Sequence, residues 1–299
     1  MNVSKLLRKW NLGGAEVLDS FHLETVRKIY KIHSEEQNFI LKGIPDNVPE
    51  SQICSNVKAH CFLGNEKKIA PEIFLTSEGS YYVHSDGYWF YLMEYIEGRN
   101  MHETEEDEFL LGQLAGRLHS YQEYKIKSPM SQNKERFYDW FHERNFKKEF
   151  NSILDELPDF SEYDQCLIHS DLGPHNAMVR NTGEAVLIDL DDTGIGSRFM
   201  DLGWAFIMQF VDYNHQSGEM RYRFDLAEAF LNGYYGSELI SEREYDMIWK
   251  GAVYMHISYM QCYGPDAVES LWDILKFGME QKESLWDKWY KRQREYSRQ

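Results

Sequence analysis

One stretch, Cys166 to Asp201 (CLIHSDLGPHNAMVRNTGEAVLIDLDDTGIGSRFMD), constrains the fold of this chain more than any other. An apolar run, Cys166-Leu167-Ile168, leads into a polar loop with His169, Asp171 and Asn176. A short strand, Ala177 to Val179, turns at Asn181-Thr182-Gly183 and returns as Ala185 to Ile188, delivering Asp189. Turn residues of the Asn and Gly type bring their two flanks together, so the hairpin predicts that Asp171, Asn176 and Asp189 converge at its open end. Two carboxylates and an amide oxygen make a hard, all-oxygen set of the kind that holds Mg2+. Such a set suits phosphoryl transfer, in which the protein positions the acceptor and neutralises charge. Asp171 is the candidate that orients the acceptor hydroxyl and takes its proton. Asn176 and Asp189 are the candidate metal ligands, and His169 and Asp201 are candidate braces of the loop. Each residue alone is an ordinary turn former; the reading rests on their joint order at a strand-loop-strand junction.

Composition narrows the partners. With 32 basic and 49 acidic residues the net charge is -17, which argues against a nucleic-acid backbone or an anionic membrane as the main partner, fits a soluble protein and weakly favours a cationic ligand. Cys54, Cys61, Cys166 and Cys262 form no C-x-x-C pair and read as thiols of a reducing compartment. No signal-like segment opens the chain, and no run of ~18 apolar residues suggests a membrane span. The expected location is the cytoplasm. Nothing in the sequence sets the oligomeric state.

The chain divides by pattern. Residues 1–12 read as a short amphipathic helix. β-Rich runs around Val26, Tyr30 and Ile32, then Phe39, Leu41 and Ile44, are separated by a polar turn, and a helix is expected from Pro49 to Gly64. Strands follow at Glu72 to Thr76, Tyr81 to His84 and Tyr88 to Tyr95, with Asp86-Gly87 closing a tight hairpin. Glu97 to Asn100 and the acidic run Glu103 to Glu108 look like a linker. Beyond it Leu111, Leu114, Ala115 and Leu118 mark a helix, one or two more occupy Glu135 to Leu157, and helices are expected before Gly236, over Glu242 to Tyr263 and over Pro265 to Tyr290. The expected architecture is α+β and bilobal. Residues 1–96 form an antiparallel-sheet N-lobe with one helix, and residues 97–299 form a mainly helical C-lobe with the reactive loop beside a cleft.

The sequence His-Ser-Asp-Leu-Gly-Pro-His-Asn, followed by Leu-Ile-Asp-Leu-Asp-Asp and Phe-Met-Asp-Leu, resembles the H-x-D-x-x-x-x-N and I-D-x-x-x motifs of the aminoglycoside phosphotransferase and choline kinase family, a branch of the protein-kinase-like fold. The resemblance runs through nearly the whole chain, strongest over Ile168 to Asp201. It implies Asp171 as catalytic base, Asn176 and Asp189 as magnesium ligands, and Met93 to Ile96 as a hinge whose Glu94 and Ile96 backbones bind the adenine of ATP, with GTP left open. It also places Lys42 on the α- and β-phosphates. The helix acid that should accompany Lys42 is less clear, and Glu50 is a weak candidate. No G-x-G-x-x-G loop precedes Lys42, and Leu190-Asp191 follow Asp189 where a protein kinase has Phe-Gly; both point to a small-molecule kinase. Gly173 and His175 stand in the opposite order to the more frequent one, and Asp191 and Asp192 read as exposed turn residues.

The reading is therefore an ATP- and Mg2+-dependent kinase acting on a hydroxyl of a small molecule. Trp204, Tyr213, Tyr254, Tyr259, Tyr263 and Trp272 would suit an amine or quaternary ammonium acceptor, and aminoglycosides, choline, ethanolamine, homoserine and sugars remain open. An alternative is a non-catalytic kinase-fold protein with a structural role, since Tyr81 to Arg99 also resembles spore-coat proteins of this fold. A metal-dependent hydrolase using His169, Asp171 and His175 lacks further ligands at suitable spacing.

Overall fold

The computed structural model describes residues 2–21, 27–35, 37–122, 132–138, 140, 146–163, 165–263 and 265–296. These form two compact units: Met1–Asn100 with Met178–Asp191, and Met101–Ala177 with Asp192–Gln299.

The first unit opens with helix α1 (Val3–Leu7), where Asn2 Oδ1 caps the helix by accepting from the Lys5 amide at 3.0 Å. Strands β1 (Glu16–Phe21), β2 (Lys28–Ser34) and β3 (Gln37–Pro45) precede helix α2 (Glu50–Cys61) and strands β4 (Ile73–Phe74), β5 (Val83–Ser85), β6 (Tyr88–Glu94) and β7 (Gly98–Asn100). A six-stranded antiparallel sheet has the order β1-β2-β3-β6-β4, with β5 also on β6. Strand periodicity sorts its residues. Tyr30, Ile32, Phe39, Leu41, Phe90 and Leu92 face a core shared with Leu6, Leu7 and Trp10. Ile44 and Tyr91 join Ile53, Val57 and Ile73 on the opposite face, beside α2. Lys42 pairs with Ile29 on one side and Tyr91 on the other, so the same alternation turns it to the α2 face. The Asp86-Gly87 hairpin forms as expected, both residues having positive φ, 49° and 78°. Val26 lies outside the described residues. Strand β1 is not signalled by its sequence: Val17 and Leu18 are exposed, and a register shift between Val17 and Asp19 breaks the alternation.

The expected linker, which ends the first unit and begins the second, is ordered structure. Glu105 to Glu108 are the first turn of α3 (Glu105–His119), capped by Thr104, where carboxylates are stabilised by the unpaired amides of a helix start. Glu97 to Asn100 contain β7, which pairs with the central hairpin. Helices α4 (Glu135–Tyr138) and α5 (Lys147–Glu156) and strand β8 (Gln165–Ile168) follow; residues 139 and 141–145 of the expected helical stretch lie outside the described residues. The hairpin β9 (Ala177–Arg180) and β10 (Ala185–Leu187) returns the chain to the first unit. Strand β11 (Gly194–Ser197) then pairs with β8 and leads to α6 (Arg198–Met208), β12 (Val211–Tyr213), β13 (Met220–Tyr222), α7 (Phe224–Tyr235), α8 (Glu242–Met260), α9 (Pro265–Glu280) and α10 (Lys282–Tyr296). Helix α6 crosses α8 at Gly203 and Gly251, where a Cβ would overlap the facing backbone of Ala252 or Phe199. That approach seats α6, and with it Asp201, against the core. Among the described residues no helix is long and apolar enough to cross a membrane.

Candidate active site

The loop after β8 is held by one buried carboxylate. Ser170 has φ of 73°, a left-handed backbone that costs a non-glycine residue of order 1–3 kcal/mol. Asp201, in the first turn of α6 and fully buried, accepts from the backbone amides of His169 and Ser170, both at 2.7 Å. Charge-assisted bonds of this kind contribute about 1.5–3 kcal/mol each and offset the strain. The carboxylate is itself held by His119 Nε2 at 3.1 Å, and His119 Nδ1 meets the Tyr234 hydroxyl at 3.0 Å. Asp201 therefore does brace the loop, and the next residue presented is Asp171.

The Asp171 side chain is partly exposed. Asn176 Nδ2 donates to its Oδ2 at 2.8 Å and to its backbone oxygen at 3.0 Å, and His175 Nε2 lies 3.3 Å from Oδ1. Burial alone would raise the Asp171 carboxyl; the bond and charge of His175, with His169 and Asn176, hold it below its ordinary value. It is thus a carboxylate at neutral pH. The exchanged order of glycine and histidine has a steric reason: a Cβ on Gly173 would collide with the His175 ring, so Gly173 makes room for the imidazole to reach Asp171. Because Asn176 Nδ2 is committed twice, its Oδ1 is left as an acceptor, the atom a hard cation needs.

Asp171 opens onto a cavity of about 870 Å³ within the second unit. Three carboxylates (Glu103, Asp171, Asp192) and three aromatic rings (Trp204, Tyr259, Tyr263) contribute to its wall. Trp204 meets Tyr259 edge-on at 5.7 Å, and the Tyr259 and Tyr263 hydroxyls touch. Of the other aromatics singled out by sequence, Tyr254 and Trp272 are buried in the core, and Tyr213 packs on His215. Gln209 also lines the cavity, and its Nε2 donates to Glu108 Oε1. Sequence reading missed this pair because Glu108 sits in an acidic run. It is fully buried, and desolvation raises its carboxyl to about 8.

In the first unit Lys42 is buried, 4% exposed. Its ammonium lies 2.6 Å from Asp189 Oδ1 and 2.9 Å from Asp191 Oδ2. The second approach is ionic rather than a directed hydrogen bond. Burial would lower the Lys42 pKa; Asp191, Tyr91 and Asp189 outweigh it and raise it, so the lysine stays charged. Arg27 joins the group, 3.1 Å from Asp191 and 3.5 Å from Asp189. Asp191 also receives the Tyr91 hydroxyl at 3.3 Å and, on its backbone oxygen, the Asn56 side chain of α2. Two expectations change. Glu50 accepts from Tyr82, at 3.1 Å, while Lys42 takes its carboxylates from the turn after β10. Of the two acids expected to be exposed, Asp191 is buried, 8% exposed, while Asp192 is exposed as expected and lines the cavity. Asp189 has φ of 54°, and its side chain is 41% exposed.

Glu94 ends β6. Its backbone amide donates to Glu72 at 2.8 Å, and its carboxylate forms a two-point pair with Arg180, one contact at 2.8 Å. Ile96 is buried, 5% exposed, and its main chain has no main-chain hydrogen bond among the described residues.

An antiparallel sheet carrying a buried lysine with one accompanying helix, and a helical unit whose loop presents Asp and Asn five residues apart, define a phosphotransferase of the protein-kinase-like fold. The chain belongs to the phosphotransferase enzyme family (APH), matched over residues 30–242. Similar solved structures share the fold. The microcompartment-associated aminopropanol kinase is 15% identical, with 94% of each chain covered and a TM-score of 0.63. Amicoumacin kinase hAmiN, in complex with AMP-PNP, Ca2+ and Ami, is 16% identical over 94% of this chain and 92% of that chain, TM-score 0.66. Choline kinase LicA from Streptococcus pneumoniae is 15% identical over 95% of this chain and 100% of that chain, TM-score 0.58. A search of curated proteins returns no match.

Proposed function

We propose that this phosphotransferase uses ATP and Mg2+ and moves the γ-phosphoryl group to a hydroxyl of a small molecule that carries an amine. The observation that carries the reading is the cavity at Asp171, where a base-competent carboxylate shares one wall with two further carboxylates and three aromatic rings. Carboxylates and ring faces together attract an ammonium group, and the overall charge of -17 draws in a cation. The kinases named above are for aminopropanol, amicoumacin and choline, which agrees with this acceptor class.

Asp171 orients the acceptor hydroxyl. As its oxygen forms a bond to the γ-phosphorus and the bond to the β-phosphate oxygen breaks, the proton passes to Asp171 and ADP leaves. Lys42 supplies the fixed cation for the donor's phosphates, and the Glu94 and Ile96 main chains bind the adenine. Asn176 and Asp189 would hold the magnesium ion: each by itself offers a hard oxygen, from an amide whose nitrogen is already committed and from a partly exposed carboxylate. Among the described residues no cluster of three His, Cys, Asp or Glu side chains could hold a metal. When bound, magnesium neutralises charge on the transferred phosphates.

ATP consumption across a panel of amino alcohols, aminoglycosides and sugars tests the proposal. Asp171→Asn should lower acceptor-dependent turnover by about 10²–10⁴-fold while ATP affinity holds. Equal turnover by the variant removes Asp171 from its role, and no acceptor-dependent turnover by the wild type favours the structural alternative.

A further inference from the structure

We infer that Arg27 is a second phosphate-binding cation, forming with Lys42 a two-cation clamp on the donor that does the work of a glycine-rich loop; this rests on the nucleotide-dependent reading above. The sequence from Ala15 to Lys42 contains no glycine, so the β1–β2 connection has no glycine-rich turn with which to wrap phosphates in backbone amides. A guanidinium stands there instead. Arg27 lies two residues before Ile29, and Ile29 is the partner of Lys42 in the sheet. The period of two therefore puts Arg27 on the Lys42 face of the sheet.

Its charged end reaches the same two carboxylates as Lys42, at 3.1 and 3.5 Å, and its side chain remains 32% exposed while that of Lys42 is 5% exposed. The buried cation is set in place, and the other keeps about a third of its side chain at the surface. Asp191 keeps the two in register. It is buried, fixed through Tyr91 and Asn56, and touches both cations.

Charge supports the assignment. Lys42 and Arg27 both contact Asp189 and Asp191. If Asp189 held a metal ion, the two cations would share its charge with that ion and keep Asp191 as a common anion, which would favour phosphate beside them. Arginine is suited to this because its planar fork matches phosphate oxygens in pairs.

Calorimetric binding of adenosine, ADP and ATP, the nucleotides with Mg2+, separates phosphate recognition from general damage. Arg27→Met should leave adenosine affinity within about twofold and weaken ADP and ATP by about 10-fold or more, the size of a lost charge-assisted contact. Arg27→Lys should recover part of the loss and is read in its place if Arg27→Met fails to fold, with ADP and ATP then expected between wild type and a charge-free Arg27→Gln. An equal loss for adenosine and ATP, or none for either, overturns the clamp. If that result accompanies intact wild-type turnover, the clamp alone falls; if the wild type binds no adenine nucleotide, the phosphotransfer reading falls with it.

Discussion

Asp191 in the first unit and Glu108 in the second are both buried acids, 8% and 0% exposed, and they differ in what faces them. Asp191 faces the ammonium of Lys42 and the guanidinium of Arg27, so its charge is compensated where it sits. Glu108 has an amide, Gln209, as its bonding partner, and its Oε2 is buried with no hydrogen-bond partner among the described residues. Burial of an uncompensated charge is costly enough that the group keeps its proton instead. Depth alone does not tell whether a buried acid stabilises a fold; the nearest cation does.

That contrast can be broken from either side. The largest effect is expected at Glu108. Its folded value of about 8 lies above the ~4.3 of an unfolded glutamate, a gap worth about 5 kcal/mol. Between these values the unfolded chain releases the proton while the folded chain keeps it, so wild-type stability falls as pH rises from about 4 to 8 and levels off above. Glu108→Gln should remove that decline, and urea denaturation at pH 5 and pH 9 measures it; parallel losses in both proteins would mean that Glu108 is not the group responsible. The second test is at Asp191. Asp191→Ala leaves the buried Lys42 short of a partner and should destabilise by about 3–5 kcal/mol, less to the extent that Asp189 compensates. Unchanged denaturation would show that Asp189 carries the pair. The smallest effect sharpens the second unit alone: Gly173→Ala should push the His175 ring off Asp171 and lower turnover by about tenfold, the scale of one weakened positioning contact, with little change in ATP affinity. An unaltered rate would make the His175 contact incidental.

Much of the loop and hairpin was legible because their signals are local. The Asn-Thr-Gly turn, the Asp-to-Asn spacing and the apolar approach of β8 all lie within one stretch of sequence. Lys42 was placed by the family resemblance, and the period of two in β3, which turns it away from Phe39 and Leu41, agrees with that placement. Its partners were not, since the burial of Asp191 depends on residues about 150 positions earlier and on Asn56 of α2. The acidic run at Glu103 to Glu108 looked like part of a linker, yet it supplies a cavity wall at Glu103, a helix start and a buried acid. The aromatic-rich last third looked uniform, and only packing separates the rings at the cavity from those in the core.

The steric tie between Gly173 and His175 also limits how this loop can change. A side chain at 173 and an imidazole at 175 exclude each other in the observed geometry, so the two positions are not independent sites. For a loop holding histidine first and glycine second, placing glycine at 173 before histidine at 175 avoids the clash; the reverse order passes through a state in which the imidazole is turned away from the proposed base. Substitution effects at the two positions should therefore fail to add, and the order in which they are introduced becomes part of the inheritance of the loop.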